Sequence, residues 1–304
     1  MKFMKRVIYI TIFATLFCLI ACGWGTAAPS DYETKVTTGG TIEAKYIEHG
    51  PSNVSYYEEK ADGVMRKCEI YYPVEMTSSK TKYPAVMFAN GSGVRASRYK
   101  AVFQHLASWG FIVVGNEEDS SWSGVLTNKC LDRLLELNHD KGSIFYGKID
   151  MESIGIVGHS QGGVAVFNAI TNPRYNTFYK AAVALSPVIE KSAFAIGWKY
   201  DATKVRIPIL ILSEGIGSFK AEGKIIHDGL AKLISRIPSD KAVARRKDCN
   251  HPQMLYSVDG YVTAWLLWFL KGDAEAGKAF IGEQPELLVN PLYIDQQIVI
   301  KGKD

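Results

Sequence analysis

The chain has 304 residues, of which 47% are hydrophobic and 22% charged; this is globular usage and excludes a disordered or fibrous chain. The formal charge is +4, and the first 21 residues hold three cations (Lys2, Lys5, Arg6) and no acid, so the remainder carries +1. No basic stripe is left for nucleic acid, and none is expected as a partner.

In chain order, Lys2, Lys5 and Arg6 form a basic start, followed by an apolar stretch over residues 7–19 broken by two threonines. A membrane-spanning helix needs about 20 apolar residues, so residues 1–21 read as an export signal. Leu19-Ile20-Ala21-Cys22-Gly23 resembles a bacterial lipobox. That resemblance implies cleavage before Cys22, lipidation of its sulfur and anchoring to a membrane surface. An ordinary signal cut near Thr26-Ala27-Ala28 is the alternative, and it would make the protein periplasmic or secreted.

Residues 22–60 are polar, with Gly39-Gly40 and Gly50-Pro51, and read as a tether and an irregular entry. From residue 65 the pattern becomes regular. Residues 65–72 and 83–89 (YPAVMFA) read as strands, the second entering the turn Asn90-Gly91-Ser92-Gly93. Residues 99–109 have helical spacing, with Gly110 placed as a C-cap, and 111–115 form the next strand. Residues 127–137 are an amphipathic helix. Strand 153–158, helix 162–171, strands 181–185 and 207–213, helix 224–237, strand 241–246 and helix 261–270 follow. Apolar strands alternating with helices mean an α/β fold, a mostly parallel sheet covered on both faces. The domain is expected over residues 61–272, with a C-terminal extension at 273–304.

Gly158-His159-Ser160-Gln161-Gly162 lies between strand 153–158 and helix 162–171. A serine hydroxyl attacks only when a base takes its proton and its oxygen is held exposed. Gly-x-Ser-x-Gly at a sharp strand-to-helix turn meets the second need. Ser160 is therefore the candidate nucleophile; the plain alternative is a turn serine capping the helix.

Gly158–Gly163 and Leu106-Ala107-Ser108-Trp109-Gly110-Phe111-Ile112-Val113-Val114 resemble segments of the α/β-hydrolases, and so do Val262-Thr263-Ala264-Trp265 and Lys271-Gly272-Asp273. Within that superfamily the chain is most similar to cutinase-like polyester hydrolases and to dienelactone-hydrolase or chlorophyllase-like lipases. The resemblance covers most of residues 83–280. It implies an oxyanion hole of two backbone donors, one from Gln161 and one from Ser92.

The fold orders its triad serine, acid, histidine. Of His49, His105, His139, His159, His227 and His251, only His251 lies between the last strand and the last helix. His251 is thus the candidate base, with His159 a packing or pocket-wall residue and His105 structural. The family's aspartate position falls on Gly217. Glu214 is the nearest carboxylate and the chosen acid, with Glu222 and then Asp228 as alternatives. Trp122 and Val188, in loops at the same sheet edge, are the substrate-binding candidates.

Together these residues imply a serine esterase or lipase acting on small-molecule or polymeric carboxylic esters through an acyl-serine, with no metal or cofactor. Lactones, thioesters or amides on the same triad are the second reading. A non-catalytic, lipid-anchored binding protein on a degenerate hydrolase scaffold is the third. Cys68, Cys130 and Cys249 would survive export processing without Cys18 and apart from Cys22. Outside the cytoplasm they allow one disulfide whose partners the sequence leaves open. Their wide separation argues against a metal cluster.

Overall fold

A computed structural model describes residues 27–60, 66–215 and 220–301, apart from the side chains of residues 220–226. The signal segment, Cys22, Gly217 and the Glu222 side chain lie outside the described residues. The strands are β1 (Val54–Lys60), β2 (Lys67–Pro73), β3 (Tyr83–Ala89), β4 (Ile112–Asn116), β5 (Ile149–His159), β6 (Tyr179–Leu185), β7 (Ile209–Glu214), β8 (Lys241–Arg246) and β9 (Tyr293–Val299). The longer helices are α1 (Thr41–Ile47), α2 (Lys100–Ser108), α3 (Val125–His139), α4 (Gln161–Thr171), α5 (Glu190–Ala195), α6 (Lys220–Arg236) and α7 (Asp259–Lys271).

All nine strands join one sheet in the order β1-β2-β4-β3-β5-β6-β7-β8-β9. Strands β3 to β8 run parallel, β2 and β9 pair antiparallel on either side of them, and β1 pairs antiparallel with β2. Successive residues of a strand point to opposite faces, and the core divides accordingly. Val86, Phe88, Leu210 and Leu212 pack with Phe103 and Leu106 of α2 and Trp265 and Leu266 of α7. Ala85, Met87, Ile209 and Ile211 pack on the other face with Leu131 and Leu134 of α3, Phe167 of α4 and Leu233 of α6. Truncating one of these leucines to alanine costs about 2–5 kcal/mol. This is the mostly parallel, doubly covered sheet that the sequence implies.

Two segments differ from expectation. Residues 41–47 of the supposed tether form α1, and residues 54–60 form β1. The extension contributes β9, which pairs with β8. Limits at 60/61 and 272/273 therefore cut through a single sheet. Both strands lie at its edges, where one neighbour and one solvated side permit polar composition, so neither shows the apolar run of a central strand. Of the two charged residues of α1, Lys45 is exposed and Glu43 is absorbed into the interior. Glu43 is buried and accepts hydrogen bonds from Asn290 Nδ2 at 2.8 Å and the Tyr293 hydroxyl at 2.6 Å.

The parallel register aligns the C-terminal strand ends. Ala89 sits beside Gly158, His159 beside Leu185, Leu185 beside Leu212, and Glu214 beside Arg246. Five segments therefore leave one edge of the sheet side by side: Asn90–Gly93, Ser160, Ser186, the residue after Glu214, and the loop carrying His251. Ligands of open α/β sheets bind at this kind of edge.

Candidate active site

The turn at Ser160 is as tight as its glycines suggest. A Cβ at Gly158 would lie 2.2 Å from the Gly162 carbonyl oxygen, and one at Gly162 would lie 2.0 Å from that of Ala89. Within this turn Ser160 has φ 60° and ψ −116°, a conformation costing a non-glycine residue about 1–3 kcal/mol. Its amide is pinned to the Leu185 carbonyl at 2.9 Å, and α4 begins at the next residue. Two more non-glycine residues with positive φ flank it on the same edge, Ser186 at 45° and Asp248 at 52°.

Asp248 opens the loop that carries His251. The Nδ1 of His251 lies 3.1 Å from Glu214 Oε1 at the end of β7. The other Glu214 oxygen accepts the Ser213 hydroxyl at 3.0 Å and, more closely, the Ser186 hydroxyl. Burial pushes the Glu214 carboxyl up. The charge of His251 and the hydrogen bonds from His251 and Ser186 outweigh that and hold it well below the usual carboxylate range. Burial likewise depresses His251, but Glu214 overcomes it and leaves the imidazole above its ordinary value. The Nε2 of His251 is buried and has no hydrogen-bond partner among the described residues.

Glutamate can stand here because β7 delivers its backbone directly opposite the histidine loop. Of the alternatives, Asp228 lies exposed on α6, where it meets His227 Nδ1 at 3.1 Å rather than His251. Ser186 and Ser213 were not singled out in the sequence. Serines at strand ends carry no signal of their own, and only the neighbouring register of β6 and β7 gathers them around Glu214.

His159 also meets the histidine loop. Its Nε2 lies 2.9 Å from the His251 carbonyl oxygen, so Nε2 carries the proton, and the two rings are 4.9 Å apart. Burial, reinforced by the charge of His251, lowers the His159 pKa to about 3. It stays neutral and ties the His251 backbone to the Ser160 turn. His105 is elsewhere, buried in α2 with Nδ1 2.9 Å from Asp259 and Nε2 3.0 Å from the Glu48 carbonyl.

The turn after β3 is braced on both sides of Ser92. Asn90 Nδ2 donates to the Asn116 carbonyl at 2.7 Å and the Glu118 carbonyl at 3.0 Å. The Gly91 amide donates to the Tyr99 hydroxyl at 2.7 Å and the Gly93 amide to the Asp119 carbonyl at 3.0 Å. Between them the Ser92 amide has no partner among the described residues. The Gln161 amide heads α4, where first-turn donors lack intrahelical acceptors. Its side chain is occupied, since Gln161 Oε1 accepts the Ser121 amide at 2.7 Å while the Ser121 hydroxyl donates to the Asn90 carbonyl. Ser121 thus fastens the Ser160 turn to the turn after β3.

Trp122 follows Ser121 in this loop, half-buried, with its carbonyl held by Asn168 Nδ2 at 2.8 Å. Val188, also half-buried, follows Ser186-Pro187, and its carbonyl accepts the Tyr200 hydroxyl at 3.0 Å. The edge therefore brings Ser160, His251, Glu214, Ser92 and Gln161 into adjoining segments, with Trp122 and Val188 in the flanking loops. No group of three or more His, Cys, Asp or Glu side chains suited to a metal occurs among the described residues.

A sequence model described as PETase, PET hydrolase-like, matches residues 40–290. The chain is also 22% identical over 165 residues to chlorophyllase type 0 of Chenopodium album, a match covering 45% of each chain. It thus spans about half the length of the curated relative it matches.

Proposed function

The chain belongs to the PET hydrolase-like family, a family of ester hydrolases, and on that premise we propose that it cleaves carboxylic esters through an acyl-serine intermediate. One observation carries the proposal. His251 has one nitrogen on a buried carboxylate and the other buried without a partner among the described residues, in the loop tied to the Ser160 turn.

In this reading His251 Nε2 takes the proton of Ser160 Oγ as the oxygen attacks the ester carbonyl. The Ser92 and Gln161 amides hold the resulting oxyanion; losing one such donor costs about 10²–10³ in rate. His251 then protonates the leaving alcohol, and water repeats the sequence to release the acid. Glu214 fixes the tautomer with the proton on Nδ1 and stabilises the imidazolium. The contact between Glu214 and His251 favours a working enzyme over a degenerate scaffold. Lactones, thioesters and amides would use the same groups, because a triad does not determine its substrate.

Labelling with a fluorophosphonate tests the nucleophile. The parent should label, and Ser160→Ala should not; a silent parent, folded by circular dichroism, overturns the enzyme reading. A p-nitrophenyl ester series and a polyester film then distinguish short-chain, long-chain and polymer substrates, with Trp122→Ala and Val188→Ala reporting on the flanking loops. We further propose that Cys22 carries a lipid anchor, supported by the lipobox pattern. Cys22→Ala should release the protein from membranes, and its retention there would count against the anchor.

A further inference from the structure

Cys68 lies in β2 and Cys130 in α3, facing each other across the seam between the sheet and the helix that covers it. Each is 1% exposed, and their Sγ atoms are 3.1 Å apart. That is closer than the about 3.5–4.0 Å at which non-bonded carbons sit best, although sulfur is larger. A bonded pair stands at about 2.05 Å.

Both partners are held in place from outside the pair. Cys68 is in register with Glu59 of β1 and Asn116 of β4. Glu59 accepts from Arg133 Nε at 2.8 Å, and Arg133 is one helical turn beyond Cys130. The Tyr179 hydroxyl donates to Asn128 Oδ1 at 2.8 Å, fixing the same stretch of α3 from β6. Cys249, also buried, belongs to the core on the opposite face of the sheet. The three cysteines therefore divide into a facing pair and one remote thiol.

We propose that Cys68 and Cys130 form a disulfide bond in the mature protein, fastening the β1–β2 edge of the sheet to α3 and leaving Cys249 reduced. The oxidant is a disulfide, either that of a dithiol–disulfide oxidoreductase or oxidised glutathione. One cysteine thiolate attacks it to give a mixed disulfide, and the second displaces the remaining partner sulfur. The Cys68–Cys130 bond forms, the partner's S–S bond breaks, and two partner thiols leave with the two protons and two electrons. With both sulfurs buried, exchange occurs as the chain folds, before α3 closes over β2.

The full chain is unfolded, refolded in reduced and oxidised glutathione, alkylated in denaturant without reductant, digested and read by mass spectrometry. The expected product is one linked peptide pair holding Cys68 and Cys130, with Cys249 alkylated. The bond closes a loop spanning 62 positions, so dithiothreitol should lower Tm by about 10 °C. C68A/C130A should show no dependence of Tm on reductant. Should that variant fail to fold, Cys249→Ala carries the test, because the bridge and the reductant-sensitive Tm persist in it. Alkylation of both Cys68 and Cys130, or a bridge from either to another cysteine, overturns the proposal.

Discussion

Among the described residues two histidine–carboxylate pairs, one buried and one half-buried, differ in one nitrogen. In the pair between α2 and α7, His105 faces Asp259 through Nδ1 and the Glu48 carbonyl through Nε2. The Asp259 oxygen also takes the Tyr32 hydroxyl. In the pair at the sheet edge, Glu214 is equally well occupied, but His251 Nε2 has no hydrogen-bond partner among the described residues. The first network is closed, and its imidazole has no nitrogen left to accept a proton from anything new. The second is held to the same standard on its carboxylate side and left open on the other. A buried acceptor without a partner costs about 1–3 kcal/mol, and the proposed reaction would give this one the Ser160 proton to accept.

The largest expected contrast is catalytic. His251→Ala, like Ser160→Ala, should lower kcat on a p-nitrophenyl ester by about 10⁶. His105→Ala should leave kcat per folded molecule within a few-fold. Equal losses from both histidine variants, with folding checked by circular dichroism, would break the distinction. Next comes the carboxylate. Glu214→Gln should cost about 10⁴ in kcat, because an amide no longer fixes the tautomer or stabilises the imidazolium. Asp259→Asn should have no such effect. If Glu222→Gln alone loses orders of magnitude, Glu214 is not the acid.

The smaller energies belong to the closed pair. Asp259→Asn leaves His105 buried without its counter-charge, and breaking such a pair costs about 3–5 kcal/mol. Urea denaturation of this variant should show that loss at near-wild-type kcat. Retention of full stability would mean that the closed network is not the brace its geometry describes.

The two pairs were unequally legible in the sequence. Ser160 sits in a local pattern of glycines between an apolar strand and a helix, and such patterns survive reading in one dimension. His251 could be singled out by its place after the last central strand. Glu214 is the nearest carboxylate to the family's acid position, but the contact depends on where β7 ends relative to β8. Ser186, Ser213 and the His159 bond to the His251 carbonyl are products of strand register, which no local spacing encodes. The Asp259 partner of His105 is further still, 154 positions along the chain, in a helix whose apolar pattern conceals one buried acid. The edge strands β1 and β9 are hard to read in the sequence for another reason. Their mixture of tyrosine or isoleucine with charged and amide residues, VSYYEEK and YIDQQIV, lacks a clean alternation and resembles a loop in composition.

The most delicate contrast is in pH. Burial depresses both imidazoles, and in both the facing carboxylate more than compensates, so each lies above its ordinary 6.5. A raised folded-state pKa adds stability that is fully present below the unfolded value and lost as pH climbs through the folded one. Stability should therefore decline somewhat as pH rises above about 6.5, with both pairs contributing. Activity moves the other way, since His251 must be neutral to take the Ser160 proton. The acid limb of kcat/KM should thus sit above 6.5, the ordinary value. Asp259→Asn should flatten the stability profile and leave that limb where it is. Glu214→Gln should move the limb to lower pH, because the imidazolium has lost its counter-charge, while lowering the plateau. A limb displaced by Asp259→Asn would mean that the two networks communicate through α7, and the closed pair would then belong to the site it otherwise only supports.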